Sequence, residues 1–148
     1  MWFSRKQVAK VPGSAASPAT APPGQITTKR LGDAAEALAS DHLVRAGLKR
    51  VEANYRTPGR GGGEVDLIMQ SPDGTLVFVE VRQRKGTGHG GAAASVSEVK
   101  QRRIIFAARH YLMRFATLPP CRFDVVTVQG QLDEAVAIEW LRGAFDAD

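Results

Sequence analysis

The sequence has one cysteine, Cys121, in 148 residues, so no internal disulfide can form, and no Cys/His cluster has zinc spacing. That suits a reducing compartment, and the protein is expected in the cytoplasm. No apolar run approaches the ~20 residues that a membrane helix needs, so no membrane partner is expected. Acids are absent from residues 1–32, where Arg5, Lys6, Lys10, Lys29 and Arg30 stand without counter-charge. The same stretch has little apolar surface to bury, and Pro12, Pro18, Pro22 and Pro23 oppose regular structure. Without a continuous hydrophobic segment it does not read as a secretory signal. Residues 1–26 are therefore expected to be a disordered basic Ala/Pro/Ser-rich tail, and residues 27–148 one domain.

What is present is ordinary for a globular chain: 43% hydrophobic and 24% charged residues, enough for one real core. The net charge of +5 comes from the acid-free N-terminal stretch, since the rest carries 15 bases and 15 acids. Those charges are polarised. Arg45–Arg122 holds 14 bases against 6 acids, whereas Phe123–Asp148 holds 6 acids against one base. A basic centre is compatible with phosphate binding on one face.

The chain is organised around Gly61–Lys85, GGGEVDLIMQSPDGTLVFVEVRQRK. Two strand-like runs, Val65–Met69 and Leu76–Val81, flank a Ser71-Pro72-Asp73-Gly74 turn signal, and each carries an acid where a strand prefers an apolar residue. A five-residue connection opposes Gln70 to Leu76, hence Asp66 to Glu80 and Glu64 to Arg82. Two carboxylates that close at the edge of an apolar sheet repel unless a cation lies between them, and a divalent metal with oxygen ligands fits. On the hairpin alone another reading stands beside it: two solvated acids, with Glu64 and Arg82 a cross-strand ion pair.

Before the hairpin, the spacing predicts a helix capped by Thr27 or Thr28 and stopped by Gly47, with Leu31, Ala35, Leu38, Ala39, Leu43 and Ala46 on one face. Glu36 lies in its middle and by spacing alone is a solvent-facing helix former. Leu48–Tyr55 reads as a strand. The loop TPGRGGG follows, flanked by Arg56 and containing Arg60; its glycines suit close approach to a large ligand or a mobile surface loop. After the hairpin comes a second glycine-rich loop, whose His89 is assigned no role. Ser95-Val96-Ser97-Glu98 is a capping box opening a long helix. Its inward stripe is Ile104, Ala107, Ala108, Tyr111, Leu112 and Phe115, and stepping back by four reaches Lys100 and Val96. Lys100 thus lies on the sheet-facing side, while Arg102 and Arg103 turn away. Cys121–Val128 and Ala135–Trp140 read as strands around a Gly130–Asp133 turn. The order describes an α/β fold, a mixed central β-sheet flanked by helices.

GD-AAE in the first helix, GGGEVDLIM, VFVEVR, GGAAASV, the downstream Lys100 and CRFDVV together resemble the YraN family of small bacterial proteins, in order and spacing from Thr27 to Trp140. That family is similar in fold to archaeal Holliday-junction resolvases of the PD-(D/E)xK nuclease superfamily, whose αβββαβ restriction-endonuclease-like core is the order read above. The resemblance implies Asp66 as the motif aspartate, Glu80-Val81-Arg82 as the Glu-x-Lys string, and Glu36 as the upstream helical acid. Arg82 departs from the motif lysine. Arginine keeps its proton and cannot be a general base, though it can grip a phosphate with two hydrogen bonds.

The expectation is a metal-dependent, structure-specific DNA endonuclease of repair or recombination. Asp66, Glu80 and Glu36 would hold Mg²⁺ or Mn²⁺, and Arg82 and Lys100 would serve the chemistry. Arg56, Arg60, Arg84, Lys85 and Arg103 would position the backbone of branched or flapped DNA without reading bases. The resolvase likeness also implies a homodimer. The alternative is a catalytically inactive DNA-binding or adaptor protein on the same fold, which Arg82 favours.

Overall fold

The computed structural model describes residues 28–84, 96–130 and 136–147. The expected tail, Lys85, His89 and Ser95 lie outside them. The chain divides into Met1–Leu31 and Gly32–Asp148. Of the first unit, Thr28–Leu31 are helical.

Helix α1 (Thr28–Arg45) ends as the sequence predicts. Gly47 takes φ +107°, its N–H donates to Val44 O at 3.0 Å and the Leu48 N–H donates to Leu43 O at 3.0 Å. This double closure needs a left-handed residue, which glycine supplies without strain. It also brings Leu43 and Leu48 into one apolar layer. Strands β1 (Lys49–Arg56), β2 (Glu64–Gln70) and β3 (Leu76–Arg84) form an antiparallel meander. Helix α2 (Glu98–Leu112) leads to β4 (Cys121–Gln129), parallel to β3, and β5 (Ala137–Phe145) closes the sheet antiparallel to β4. The five-stranded order is β1-β2-β3-β4-β5. This is an α/β fold consistent with a restriction-endonuclease-like core.

The sheet separates two apolar layers. One, around Ala35, Ala39 and Leu43 of α1, takes Leu67, Met69, Val77, Val79, Val126 and Val128. The other, around Ile104, Ala107, Ala108 and Tyr111 of α2, takes Val65, Ile68, Leu76, Phe78, Phe123 and Val125. β3 shows why its run is almost continuously apolar: alternate residues serve opposite layers, and both are covered.

Four local expectations are corrected. The α2 cap is Ser97, not Ser95; its hydroxyl accepts from the Lys100 N–H at 3.1 Å, leaving Glu98 as the first helical residue. The last strand runs to Phe145 because Asp124 supports a bulge in it. Val125 pairs with Leu141 and Phe123 with Phe145, and the buried Asp124 carboxylate accepts from the Gly143 N–H at 2.9 Å. Ala46, expected on the buried stripe of α1, is exposed, since the helix has already ended at Arg45. Gly62 and Gly63 are held against the protein's own backbone and side chains instead of forming a mobile surface loop. A Cβ on Gly63 would lie 2.3 Å from Arg103 O and 2.5 Å from Ala107 N, so this glycine lets the backbone of α2 rest on the start of β2. The Thr57 hydroxyl closes the loop by accepting from the Gly63 N–H at 2.8 Å.

Candidate active site

Regular alternation fails in the middle of the β1–β2 pair, and the acids are there. Ala53 belongs to the α1 layer and Tyr55 to the α2 layer, although a strand should put both on one face. Between them Asn54 has φ +54°, the one non-glycine residue among those described with a positive φ. Across the pair, Leu67 and Val65 show the same inversion about Asp66. The pairs Ala53–Leu67 and Tyr55–Val65 bracket Asn54 and Asp66, so the two irregular residues face each other. On its other side β2 pairs with β3 as far as Leu67–Val79. Beyond that the Asp66 side chain takes over, its Oδ2 accepting from the Val81 N–H at 2.8 Å.

The break lets Asp66 meet acids from both layers. From α1, the Glu36 carboxyl hydrogen-bonds Asp66 and also reaches the Asn54 side chain. From β3, the Glu80 carboxyl hydrogen-bonds Asp66 on the α2 side. Glu80 is only 7% exposed, and burial followed by the charge of Asp66 pushes its pKa up to about 8. Burial also raises Asp66, against the opposing pull of the Val81 N–H, the Glu80 hydrogen bond and Lys100. Glu36 is raised by burial and then by Asp66, with the Asn54 hydrogen bond opposing. A proton on Glu80 thus holds together two carboxyl groups that repel when both are ionised.

Cations come from α2. Lys100 Nζ lies 3.6 Å from Glu80 Oε2 and 3.9 Å from Glu64 Oε2. Glu80, Val81, Arg82, Ser97 and Lys100 line an open cleft of about 360 Å³. Glu64 is partnered by Arg103 at 3.2 Å, by Lys100, and by Arg56, its cross-strand neighbour, at 4.0 Å. Arg103 therefore does not turn away as its helical phase predicts, because β2 starts beside that flank of α2. Arg60 is exposed in the loop before β2, and Arg84 ends β3, half-buried. Sequence reasoning missed Asn54 altogether and took Glu64 only as a partner of Arg82. A local polar residue at a pairing break is a signal visible only once the register is known.

For a divalent cation, the donor chemistry fits in part. Asp66 and Glu80 offer converging hard oxygens whose repulsion a cation would relieve. Among the described residues, however, no group of three or more His, Cys, Asp or Glu side chains is gathered to hold a metal unaided. One or two carboxylates completed by water and substrate phosphate is the ordinary Mg²⁺ arrangement, so the pair suits Mg²⁺ better than a caged ion.

The fold and this cleft define an α/β protein with a carboxyl pair, Glu80 buried and Asp66 half-buried, at a break in its sheet. Comparison with known proteins names the family. Residues 35–128 match the family described as "Uncharacterised protein family UPF0102", and the chain belongs to it; this is the YraN family. A UPF0102 protein of Polaromonas naphthalenivorans (strain CJ2) is 67% identical over 152 residues, covering 99% of both chains. Another, of a Polaromonas species (strain JS666), is 66% identical over 151 residues at the same coverage. Among solved structures, Pyrococcus furiosus SfsA in complex with Ca²⁺ aligns over 78% of this chain and 63% of its own, with a TM-score of 0.36 and 12% identity, a likeness too slight to build on. No helix of the described residues is long and apolar enough to cross a membrane.

Proposed function

We propose that the protein is a metal-dependent DNA endonuclease acting on branched or flapped DNA in repair or recombination. One observation carries the reading: the buried Glu80, hydrogen-bonded to the half-buried Asp66, meets the Lys100 ammonium at 3.6 Å in an open cleft. Structure alone gives no reason to bury an acid whose pKa is pushed to about 8 when a solvated one would fold more easily. Perturbed acids in clefts gather at functional sites.

Asp66 and Glu80 hold Mg²⁺ or Mn²⁺, with Glu36 supporting Asp66 from behind. When bound, such an ion supplies Lewis acidity toward water and phosphate oxygen. The Val81 N–H fixes the Asp66 carboxylate through Oδ2. Lys100 offers its ammonium to the charge that develops on the phosphate, in a cleft where fixed charges outperform solvent. Arg82, on the same wall, grips a phosphate oxygen pair but takes up no proton. Arg56, Arg60, Arg84 and Arg103 hold the backbone on either side, and Lys85 extends this set in sequence. The arginine in the motif lysine's place is offset by Lys100, which brings an amine to the carboxyl pair from a different element.

The test is incubation of purified protein with labelled four-way junction, flap, duplex and single-stranded DNA in Mg²⁺, Mn²⁺ or EDTA. Metal-dependent cleavage lost in Asp66→Ala and Glu80→Ala supports the enzyme. Salt-sensitive binding without cleavage under any metal leaves the adaptor reading, which Arg82 favours.

A further inference from the structure

Three cations from two elements converge on Glu64. Arg103 donates from Nη2 at 3.2 Å, Lys100 Nζ stands at 3.9 Å and Arg56 Nε at 4.0 Å. Only the Arg103 contact is a hydrogen bond, and the other two approach without closing on the carboxylate. One negative charge among three positive ones leaves the group cationic even after Lys100 is shared with Glu80. The arginines are open to solvent, at 75% for Arg56 and 47% for Arg103, while Glu64 sits deeper at 28%. A surface ion pair contributes little to folding, so stability does not account for gathering these groups.

Their placement is fixed by the backbone. Gly63 lets α2 rest on β2, which sets Arg103 and Lys100 above Glu64, and cross-strand pairing sets Arg56 beside it. Spread arginine donors and an ammonium around a small anion are the equipment of a phosphate seat.

We propose that Arg56, Lys100 and Arg103 form a seat for a backbone phosphate of the nucleic acid, beside the Asp66–Glu80 centre, and that Glu64 is its resident anion, displaced when the phosphate enters. The inference rests on the nuclease reading and adds to it a gate. Weak or misplaced polyanions fail to displace Glu64, whereas a strand running through the cleft supplies a phosphate that replaces it. The ligand class is a phosphodiester, and recognition is of charge and position, not of base.

Binding in EDTA tests the seat apart from cleavage. Labelled four-way-junction DNA is titrated with wild type, Glu64→Gln, Arg103→Ala, the double variant, and Glu98→Gln. Glu98 pairs with Arg102 on the same helix at 3.9 Å, so its variant removes one charge without touching the seat. Glu64→Gln is expected to bind roughly fivefold more tightly, the worth of one unit charge at about 4 Å in water. Arg103→Ala is expected to weaken binding and to shrink the gain from Glu64→Gln in the double variant; Glu98→Gln is expected to stay near wild type. Weaker or unchanged binding by Glu64→Gln, in a protein whose melting curve is intact, overturns the seat. An equal gain from Glu98→Gln overturns it too, since bulk charge then explains the effect. Wild type that cleaves with metal while Glu64→Gln shows no gain rejects the seat and keeps the nuclease; wild type that binds no DNA at all rejects both.

Discussion

Lys100 Nζ stands 3.6 Å from Glu80 Oε2, although one residue belongs to the helix that crosses the sheet and the other to the strand before it. The amine reaches the acid pair because α2 opens at Ser97, which places Lys100 at the third helical position, on the inward side. Two cations therefore line the cleft, Arg82 from the strand and Lys100 from the helix. Lys100, whose ammonium stands against Glu80, is expected to matter more. Lys100→Ala should lower the cleavage rate on the order of 10²-fold, as loss of a fixed transition-state charge does. Arg82→Lys should keep or raise the rate, because an amine at that position can do what the guanidinium cannot. Single-turnover cleavage of junction DNA in Mg²⁺ measures both. A Lys100→Ala protein as fast as wild type would return the role to Arg82.

The raised pKa of Glu80 has a definite consequence for stability. In the folded chain its carboxyl titrates at about 8, in the unfolded chain near the ordinary 4.5. Between those values the folded state holds a proton that the unfolded state has released, so stability is fullest below the lower value and falls as pH rises toward the upper one. In EDTA, melting should move to lower temperature as pH rises from the ordinary 4.5 to about 8, and level off above that. Mg²⁺ requires the deprotonated pair, so its stabilising effect should grow over the same range. Glu80→Gln should flatten both trends. Calorimetry with and without Mg²⁺ gives the answer, and a melting temperature that climbs with pH in EDTA would contradict it.

Gly63 and Gly32 should respond in opposite ways to alanine. At Gly63 the added Cβ meets the α2 backbone at 2.3 Å and 2.5 Å, with no flexible side chain to move aside. The cost should be about 2–3 kcal/mol, typical of overpacking, with α2 lifted from β2. Since α2 carries Lys100 and Arg103, DNA affinity should fall even in the molecules that stay folded. Gly32 lies within α1, and a Cβ there meets nothing within 4 Å. Gly32→Ala should stabilise by up to about 1 kcal/mol through helix propensity. Denaturant titration of the two variants reads the contrast directly.

The sequence carried the element order, the stop at Gly47 and the hairpin register, because each depends on short-range chemistry. Gln70 opposes Leu76 as the five-residue connection requires. Helical phase placed Lys100 inward for the same reason. What lay beyond reach depends on who meets whom across the sheet. Arg103 bonds Glu64 because Gly63 permits a backbone contact, and no periodicity encodes that. Asp124 shows the same limit. CRFDVV reads as an apolar strand interrupted by an acid, yet that acid is fully buried, accepting from Arg122 at 3.1 Å, Trp140 at 2.9 Å and Gly143 at 2.9 Å. Its partners lie on β4 itself and on β5, so its role is to hold the last strand and not to join the cleft.

Asp124 accordingly separates structure from chemistry. Asp124→Ala leaves the half-buried Arg122, the Trp140 indole N–H and the Gly143 N–H without their acceptor and should cost about 3–5 kcal/mol, the range for breaking a buried charged pair. Molecules that remain folded should cleave at the wild-type rate, with Trp140 fluorescence altered. A rate loss exceeding the loss of folded protein would place Asp124 in the machinery.

Asn54 makes the last distinction, between a backbone conformation and a side chain. Its φ of +54° suits glycine and asparagine and strains alanine. Asn54→Gly removes the hydrogen bond to Glu36 and keeps the conformation, whereas Asn54→Ala removes the bond and adds strain of about 1 kcal/mol or more. If the side chain serves only to favour the left-handed turn, Asn54→Gly is as active as wild type. If it holds Glu36 against Asp66, both variants lose cleavage to a similar degree and differ in melting temperature alone. The second outcome is expected, because Glu36 meets the amide of Asn54 and the acid of Asp66 at the one point where β1 and β2 exchange faces. Assaying cleavage at subsaturating Mg²⁺ sharpens the comparison: losing the support behind Asp66 should raise the metal concentration needed for half-maximal rate, and a simple folding defect should not.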